Sequence, residues 1–298
     1  PTAILIFLLL RTAIAYGSGI VLEIAAIPIE LKLLLYIMLT GLILGAVGVP
    51  NDADWGKAGV MLAIILLLDT AIESVLAGSL TRPQGSGEVN YDAMLLTIAL
   101  GFLIFKPVRN KQSIYSIVIV LLALVSTQSR TMLLAATLLI FFLSNFSIFL
   151  RLIMLLVGIG GVFAMFMMRE LDVSYEAVDR YWMWVSGINL LIEPSIFFFG
   201  VCPGQPLNIA PPEALQDLWD QQTENLTRQG VFPFNFHAFW LRFAINFGAI
   251  AALLVFVSVS LLMKSRNQVS RYLAGLFILS GFTMGSIYLS NVGVPFML

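Results

Sequence analysis

Charge is scarce in this chain. Asp, Glu, Lys and Arg make up 11% of its 298 residues, where a soluble domain carries about a quarter. With 59% apolar residues and a mean hydropathy of +0.96, that scarcity excludes a water-soluble globule and leaves an integral membrane protein. Sixteen basic residues against seventeen acidic ones leave no positive excess from which a nucleic-acid surface could be built. The single cysteine, Cys202, excludes an intrachain disulfide and a thiolate metal cluster. With one histidine, His237, and one cysteine, a zinc site lacks its ligand set. No metal and no cofactor is expected.

What the chain has instead is a succession of apolar runs. A membrane helix needs about twenty such residues, and spans are read at 31–49, 59–77, 91–105, 114–126, 132–149, 152–168, 238–263 and 272–290. Residues 1–16 read as the tail of another, interrupted by Arg11, and further sequence is expected ahead of Pro1. The stretch 19–29, short and carrying Glu23 and Pro28, reads as interfacial or re-entrant. Asp69 and Glu73 stand one turn apart inside a span, where ionisable groups are costly and paired; they are expected to partner arginines at the outer membrane surface. The expected fold is all-α, one polytopic helical bundle over 1–298, with a polar loop at 169–237.

Lysine and arginine bias sets orientation. Lys106, Arg109 and Lys111 form one basic loop; Lys264, Arg266 and Arg271 form another. The spans between them are 114–126, 132–149, 152–168 and 238–263, an even number, so both loops fall on one side, the cytoplasmic one. The connections 81–90 and 127–131 and the loop 169–237 then share the opposite side, which brings Arg82, Arg130 and Arg180 to one face with His237.

Each of these residues has two readings. Arg130, in TQSRTM at the mouth of a helical hairpin, either snorkels to water or serves a site. Arg82 opens RPQGSGEVN, whose proline and glycines make a turn or let backbone amides approach a ligand. Arg180 and Trp184 share a face if AVDRYWMW is helical; a guanidinium on phosphate beside an indole on a sugar suits a sugar phosphate, and an interfacial aromatic anchor is the alternative. His237 starts the helix that follows the loop, and Gly248 stands eleven positions on, about three turns at 3.6 residues each. That spacing puts Gly248 under His237 on one face, where glycine permits close helix packing. Neutral imidazole, with an ordinary pKa of about 6.5, suits removal of a hydroxyl proton; a structural hydrogen bond is the other reading. The loop carboxylates read as a solvated face.

Four segments in order resemble the O-antigen ligase and polymerase superfamily of bacterial inner-membrane glycosyltransferases. RPQGSGEVN, with Arg82, Gly85 or Gly87, and Asn90, resembles the family's Arg–Gly segment; TQSRTMLLA, with Ser129 and Arg130, resembles its Ser-Arg segment. DRYWMW, with Arg180 and with Trp184 where leucine is usual in ligases, resembles the loop arginine motif, and HAFWLRFAINFG, with His237 and Gly248, the His-to-Gly motif. Ala238 departs from the pattern, which has a polar residue after the histidine. The likeness covers about residues 80 to 263.

The resemblance implies a glycosyltransferase C-type membrane fold with a long periplasmic loop. It implies transfer of a glycan from undecaprenyl diphosphate to an acceptor hydroxyl, with inversion and without metal. Arg82, Arg130 and Arg180 would bind the diphosphate, His237 would act as general base, and Trp184, with Trp182 and Trp240, would contact sugar or lipid. A chain-length regulator protein is an implied partner. A polymerase of O-antigen or exopolysaccharide repeat units is expected, because the loop has more acids than bases and a ligase acceptor, lipid A-core, is anionic. The alternatives are the ligase itself, or one acting on protein, and a flippase for lipid-linked glycan.

Overall fold

In the computed structural model the described residues are 2–20, 22–48, 51–79, 81–85, 89–105, 111–168, 175–213, 216–217, 220 and 230–285. They form α1 (Thr2–Gly17), α2 (Ala26–Val47), α3 (Asp52–Ala77), α4 (Val89–Phe105), α5 (Lys111–Ser126), α6 (Arg130–Leu143), α7 (Ile148–Met168), α8 (Tyr175–Leu190), α9 (Pro194–Phe199), α10 (Phe239–Phe247), α11 (Ala249–Leu262) and α12 (Gln268–Ser280). Among them, the only strand-like pairing is a single bridge between Leu207 and Val231. The protein is a helical membrane protein. Ala26–Ala46, Asp52–Ala77 and Ile148–Met165 are long and apolar enough to cross a bilayer, and α4, α5, α6 and α11 are apolar but shorter.

The chain divides into two compact units. One comprises residues 49–171 and 259–280, with α4 at its centre against α3, α5, α6 and α12. Small residues let these helices approach, since lipid gives no hydrophobic drive between them. Gly59 lies against Ala99, Gly101 against the Tyr272 ring and Gly158 against Thr137. Tyr272 crosses from α12 to donate its hydroxyl to the Thr97 carbonyl at 3.0 Å, so no polar atom of the ring is stranded in the core. The outward faces are as apolar as the core: Val75 is 81% exposed and Leu156 69%. In water such faces would aggregate; in lipid they are the solvated surface.

The contacts of Tyr272 near the start of α12 with Gly101 and Phe105 near the end of α4 place Lys264, Arg266 and Arg271 at the α4 C-terminal end of this unit. Lys111 begins α5 at that same end, as the charge pattern predicts; Lys106 and Arg109 lie outside the described residues.

The other unit comprises residues 1–48, 172–258 and 281–298. Residues 18–20 and 22–25 are turn and irregular chain, and α2 begins at Ala26, taking in Pro28 in its first turn, where proline's missing N–H costs nothing. The stretch read as a polar loop is in large part folded. It contains α8 and α9, and its Met183, Val201, Leu207, Val231 and Phe236 form a core with Ala238, Leu241 and Ile245 at and in α10. The sequence hides this because its apolar residues are dispersed among the charges and no twenty-residue run forms.

Two further expectations are corrected here. The span read at 238–263 is two helices, α10 and α11, parted at Gly248, whose φ of +93° ends the first. Gly248 therefore does not lie under His237 on a continuous helix. The glycine is needed because its backbone passes the carbonyls of Phe197 and Phe198, where a side chain would collide. The span read at 272–290 ends as a helix at Ser280, after which residues 281–283 turn.

Candidate functional site

His237 stands on extended backbone just ahead of α10 and is exposed. It helps line a cavity of about 180 Å³ with Met183, Trp184, Phe236, Ala238, Leu241, Phe282 and Thr283. Three separate stretches of one unit build this pocket. α8 gives Met183 and Trp184. The α10 approach gives Phe236, His237, Ala238 and Leu241. The turn after α12 gives Phe282 and Thr283. The Trp184 indole stacks on Phe282 with ring centroids 6.3 Å apart and planes at 25°. The pocket thus offers one titratable ring, one hydroxyl and an aromatic wall.

The backbone before α10 is held by specific bonds. Asn235 Oδ1 accepts from Phe232 N–H at 2.8 Å, closing the short 3₁₀ turn Pro233–Asn235. Ala238 occupies the N-cap position and has no side chain with which to cap. Two of the leading amides of α10 are satisfied from elsewhere: Phe239 N–H donates to the Met284 carbonyl at 2.9 Å and Trp240 N–H to the Gly281 carbonyl at 3.1 Å. Two carbonyls of the turn after α12 thus cap the start of α10, which also fixes Phe282 and Thr283 beside His237. The buried Arg242 braces the segment from behind, one terminal nitrogen donating to the Ile29 carbonyl at 3.0 Å and the other reaching the Phe234 carbonyl at 3.5 Å.

Arg82 and Arg130 belong to the other unit, and there the structure brings their two connections together. Arg82 Nε–H donates to the Thr127 carbonyl at 2.9 Å, and Arg130 opens α6 immediately after Ser129. The expectation that both sit at the end of the bundle opposite the basic loops holds within this unit: Arg82 precedes the N-terminus of α4, and Thr127 follows the C-terminus of α5. Asp69 and Glu73 also lie here, yet among the described residues their partners are not arginines. Asp69 Oδ2 accepts from the backbone amides of Gln84 and Gly85 at 2.7 and 3.0 Å, and Glu73 accepts from the Gln84 side chain at 3.0 Å. Two carboxylates one turn apart on α3 thus clamp the loop that carries Arg82. A backbone N–H pair satisfies a carboxylate as well as a cation does and fixes the chain besides.

Arg180 stands on α8 one turn before Trp184; its side chain, like Gly87, lies outside the described residues. Trp240 is 7% exposed and packs edge-on to Phe239 and Phe256, so it is a core residue and not a sugar contact. Sequence reading missed Phe282 and Thr283. Their signal was present in Gly281-Phe282-Thr283-Met284-Gly285, where two glycines and a hydroxyl interrupt the last apolar run. Among the described residues no group of three or more His, Cys, Asp or Glu could hold a metal ion.

Comparison of the chain with protein-family models, with curated proteins and with solved structures finds no match.

Proposed function

We propose that this protein is an inverting glycosyltransferase that joins oligosaccharide units carried on undecaprenyl diphosphate, at the periplasmic face of a bacterial inner membrane. The observation that carries the reading is the exposed His237 in a pocket walled by the stacked Trp184 and Phe282. An imidazole at the edge of an aromatic-walled cavity is suited to a sugar hydroxyl: the ring face stacks on the sugar while the nitrogen takes its proton. The acceptor oxygen attacks the anomeric carbon of the donor as the bond from that carbon to the diphosphate oxygen breaks. The proton passes to His237, and the lipid diphosphate leaves with its charge. Arg82, Arg130 and Arg180 are the residues assigned to that charge, since guanidinium binds phosphate oxygens bidentately and is always cationic.

The test is chain growth by the purified protein on lipid-diphosphate repeat units, compared with His237→Ala and His237→Gln. Loss of growth with donor binding retained supports the base assignment, and full growth by His237→Ala ends it. Movement of lipid-linked glycan across vesicles, without any growth, would favour a flippase. Transfer to lipid A-core in place of growth would make the protein a ligase.

A further inference from the structure

We propose that α8 and α9 lie against the hydrocarbon of the bilayer, so that this part of the stretch between α7 and α10 is lipid-embedded and not aqueous. Tyr181, Val185 and Ile188 follow one another at intervals of four and three residues, which is one face of a helix. That face is turned outward: the three are 72%, 41% and 52% exposed. The turn after α8 adds Ile192, 73% exposed, and α9 adds Phe198 and Phe199 at 53% and 68%. The opposite face of α8 is occupied, with Met183 and Trp184 on the His237 pocket and Gly187 against Leu241. Six large apolar residues turned outward on α8, the turn after it and α9 mark a site where something other than water belongs.

The occupant follows from what the patch adjoins. Both terminal nitrogens of Arg11, on α1, donate to the carbonyls that end α9, to Phe199 at 2.5 Å and to Gly200 at 2.6 Å. One turn earlier on α1, Leu8 packs on Leu31 and Leu34 of α2. Those residues lie in the first half of the Ala26–Ala46 apolar span, so the end of α9 sits at the level of the early turns of a membrane-crossing helix. On α1, Phe7, Leu10 and Ile14 are themselves 59%, 59% and 69% exposed, and the phenylalanines of α9 extend that surface. Helix-end carbonyls in hydrocarbon have no water to bond and need protein donors. A guanidinium set in an apolar helix and committed to two such carbonyls is the arrangement lipid requires. The proposal rests only on the chain being a membrane protein. Its corollary, which does rest on the transfer reading, is that a lipid-borne donor reaches the His237 pocket along α8 from within the bilayer.

Nitroxide labels on Val185→Cys, Ile188→Cys and Phe198→Cys, in the full chain in phospholipid nanodiscs, test this by power saturation against oxygen and against a water-soluble nickel chelate. Cys202 is retained, being buried, and the parent chain serves as the labelling blank. Leu156→Cys on α7 gives the lipid reference and the exposed Asp217→Cys the aqueous one. We expect all three labels to favour oxygen as Leu156→Cys does. Nickel accessibility like that of Asp217→Cys would overturn the proposal. So would protection from both reagents, which would mean that protein, such as a second copy of this chain, covers the patch. No enzyme activity is read, so failure here leaves the transferase reading untouched and the reverse also holds.

Discussion

Arg82 donates its Nε–H to the carbonyl oxygen of Thr127 over 2.9 Å, tying the loop after α3 to the turn between α5 and α6. The turn it braces is tight: Gln128 has a φ of +53°, the left-handed region that an amide side chain enters at some cost, and Ser129 N–H bonds the Thr127 hydroxyl at 3.3 Å. Arg130 follows at once. The position of one arginine is therefore set through the other.

That relationship gives the first prediction. Arg82→Lys keeps the charge but loses the Nε–H, whose bond to a carbonyl is worth about 1.5 kcal/mol, the low end for a charged donor because the group is only part-buried. Thermal unfolding in detergent should show a lower midpoint for Arg82→Lys, and a similar one for Arg82→Ala. Under the transfer reading, donor KM should rise more in Arg82→Ala than in Arg82→Lys. Equal KM values with equal midpoints would reduce Arg82 to a brace.

Much of this end of the protein was legible in the sequence, and the reason is physical. Apolar runs of membrane length and the placement of Lys and Arg are governed by the bilayer, which acts on composition more than on contacts; thus α3, α4, α5 and α7 fall close to where hydropathy puts them. Arg82 and Arg130 come to one end for the same reason. The 169–237 stretch was not legible as structure. Met183, Phe236 and Leu241 meet only through tertiary packing, and their spacing in the chain announces nothing. Gly248 misled because a glycine in an apolar run reads equally as a packing notch or a helix break, and only φ decides.

The aromatic wall supplies a second prediction. Trp184 and Phe282 stack at 6.3 Å, and such a pair is worth about 0.5–1.5 kcal/mol beyond burial. Under the transfer reading, Trp184→Phe keeps a ring in place and should retain most turnover. Trp184→Ala removes the ring face on which a sugar would stack and should lower kcat/KM by roughly two- to tenfold, the range for a sugar–indole contact of about that size. Acceptor titration at saturating donor measures it, and an unchanged value for Trp184→Ala would remove the indole from the site.

A third concerns Glu30, 2% exposed on α2, whose Oε2 accepts from Gly204 N–H at 2.9 Å. Gly204 itself has a φ of +79° and passes so close to the Glu23 carbonyl that no side chain fits. The Glu30 carboxyl group thus holds a loop that sequence reading left unassigned. Glu30→Ala leaves the Gly204 amide buried without its acceptor, at a cost of about 1–3 kcal/mol. Glu30→Gln, whose amide oxygen can accept the same bond, should recover part of that loss in thermal unfolding. A Glu30→Gln variant no more stable than Glu30→Ala would show that the hydrogen bond is not what the residue contributes.

The sharpest discrimination comes from Gly248→Ala, because the two readings of that residue predict opposite signs. Were residues 238–263 one helix, alanine would replace glycine in a helix interior and stabilise the protein by roughly 0.5–1 kcal/mol. In the structure Gly248 has φ +93° and ψ +151°, backbone that is nearly closed to other residues. A Cβ there would press on the Phe198 carbonyl and also approach the Phe197 carbonyl, which belongs to rigid backbone and cannot swing aside. Gly200, with φ +70°, is in the same position against the Asn246 carbonyl, and Val201 N–H bonds the Ile245 carbonyl at 2.8 Å, so the ends of α9 and α10 interlock through two glycines. Gly248→Ala should therefore destabilise by about 1–3 kcal/mol from the backbone alone, with the steric clash in addition. Gly200→Ala should do the same, and the double variant should cost less than the sum, since the two glycines serve one junction. Thermal unfolding of the three variants settles the sign. A stabilised Gly248→Ala would restore the continuous helix and return His237 to the face above it.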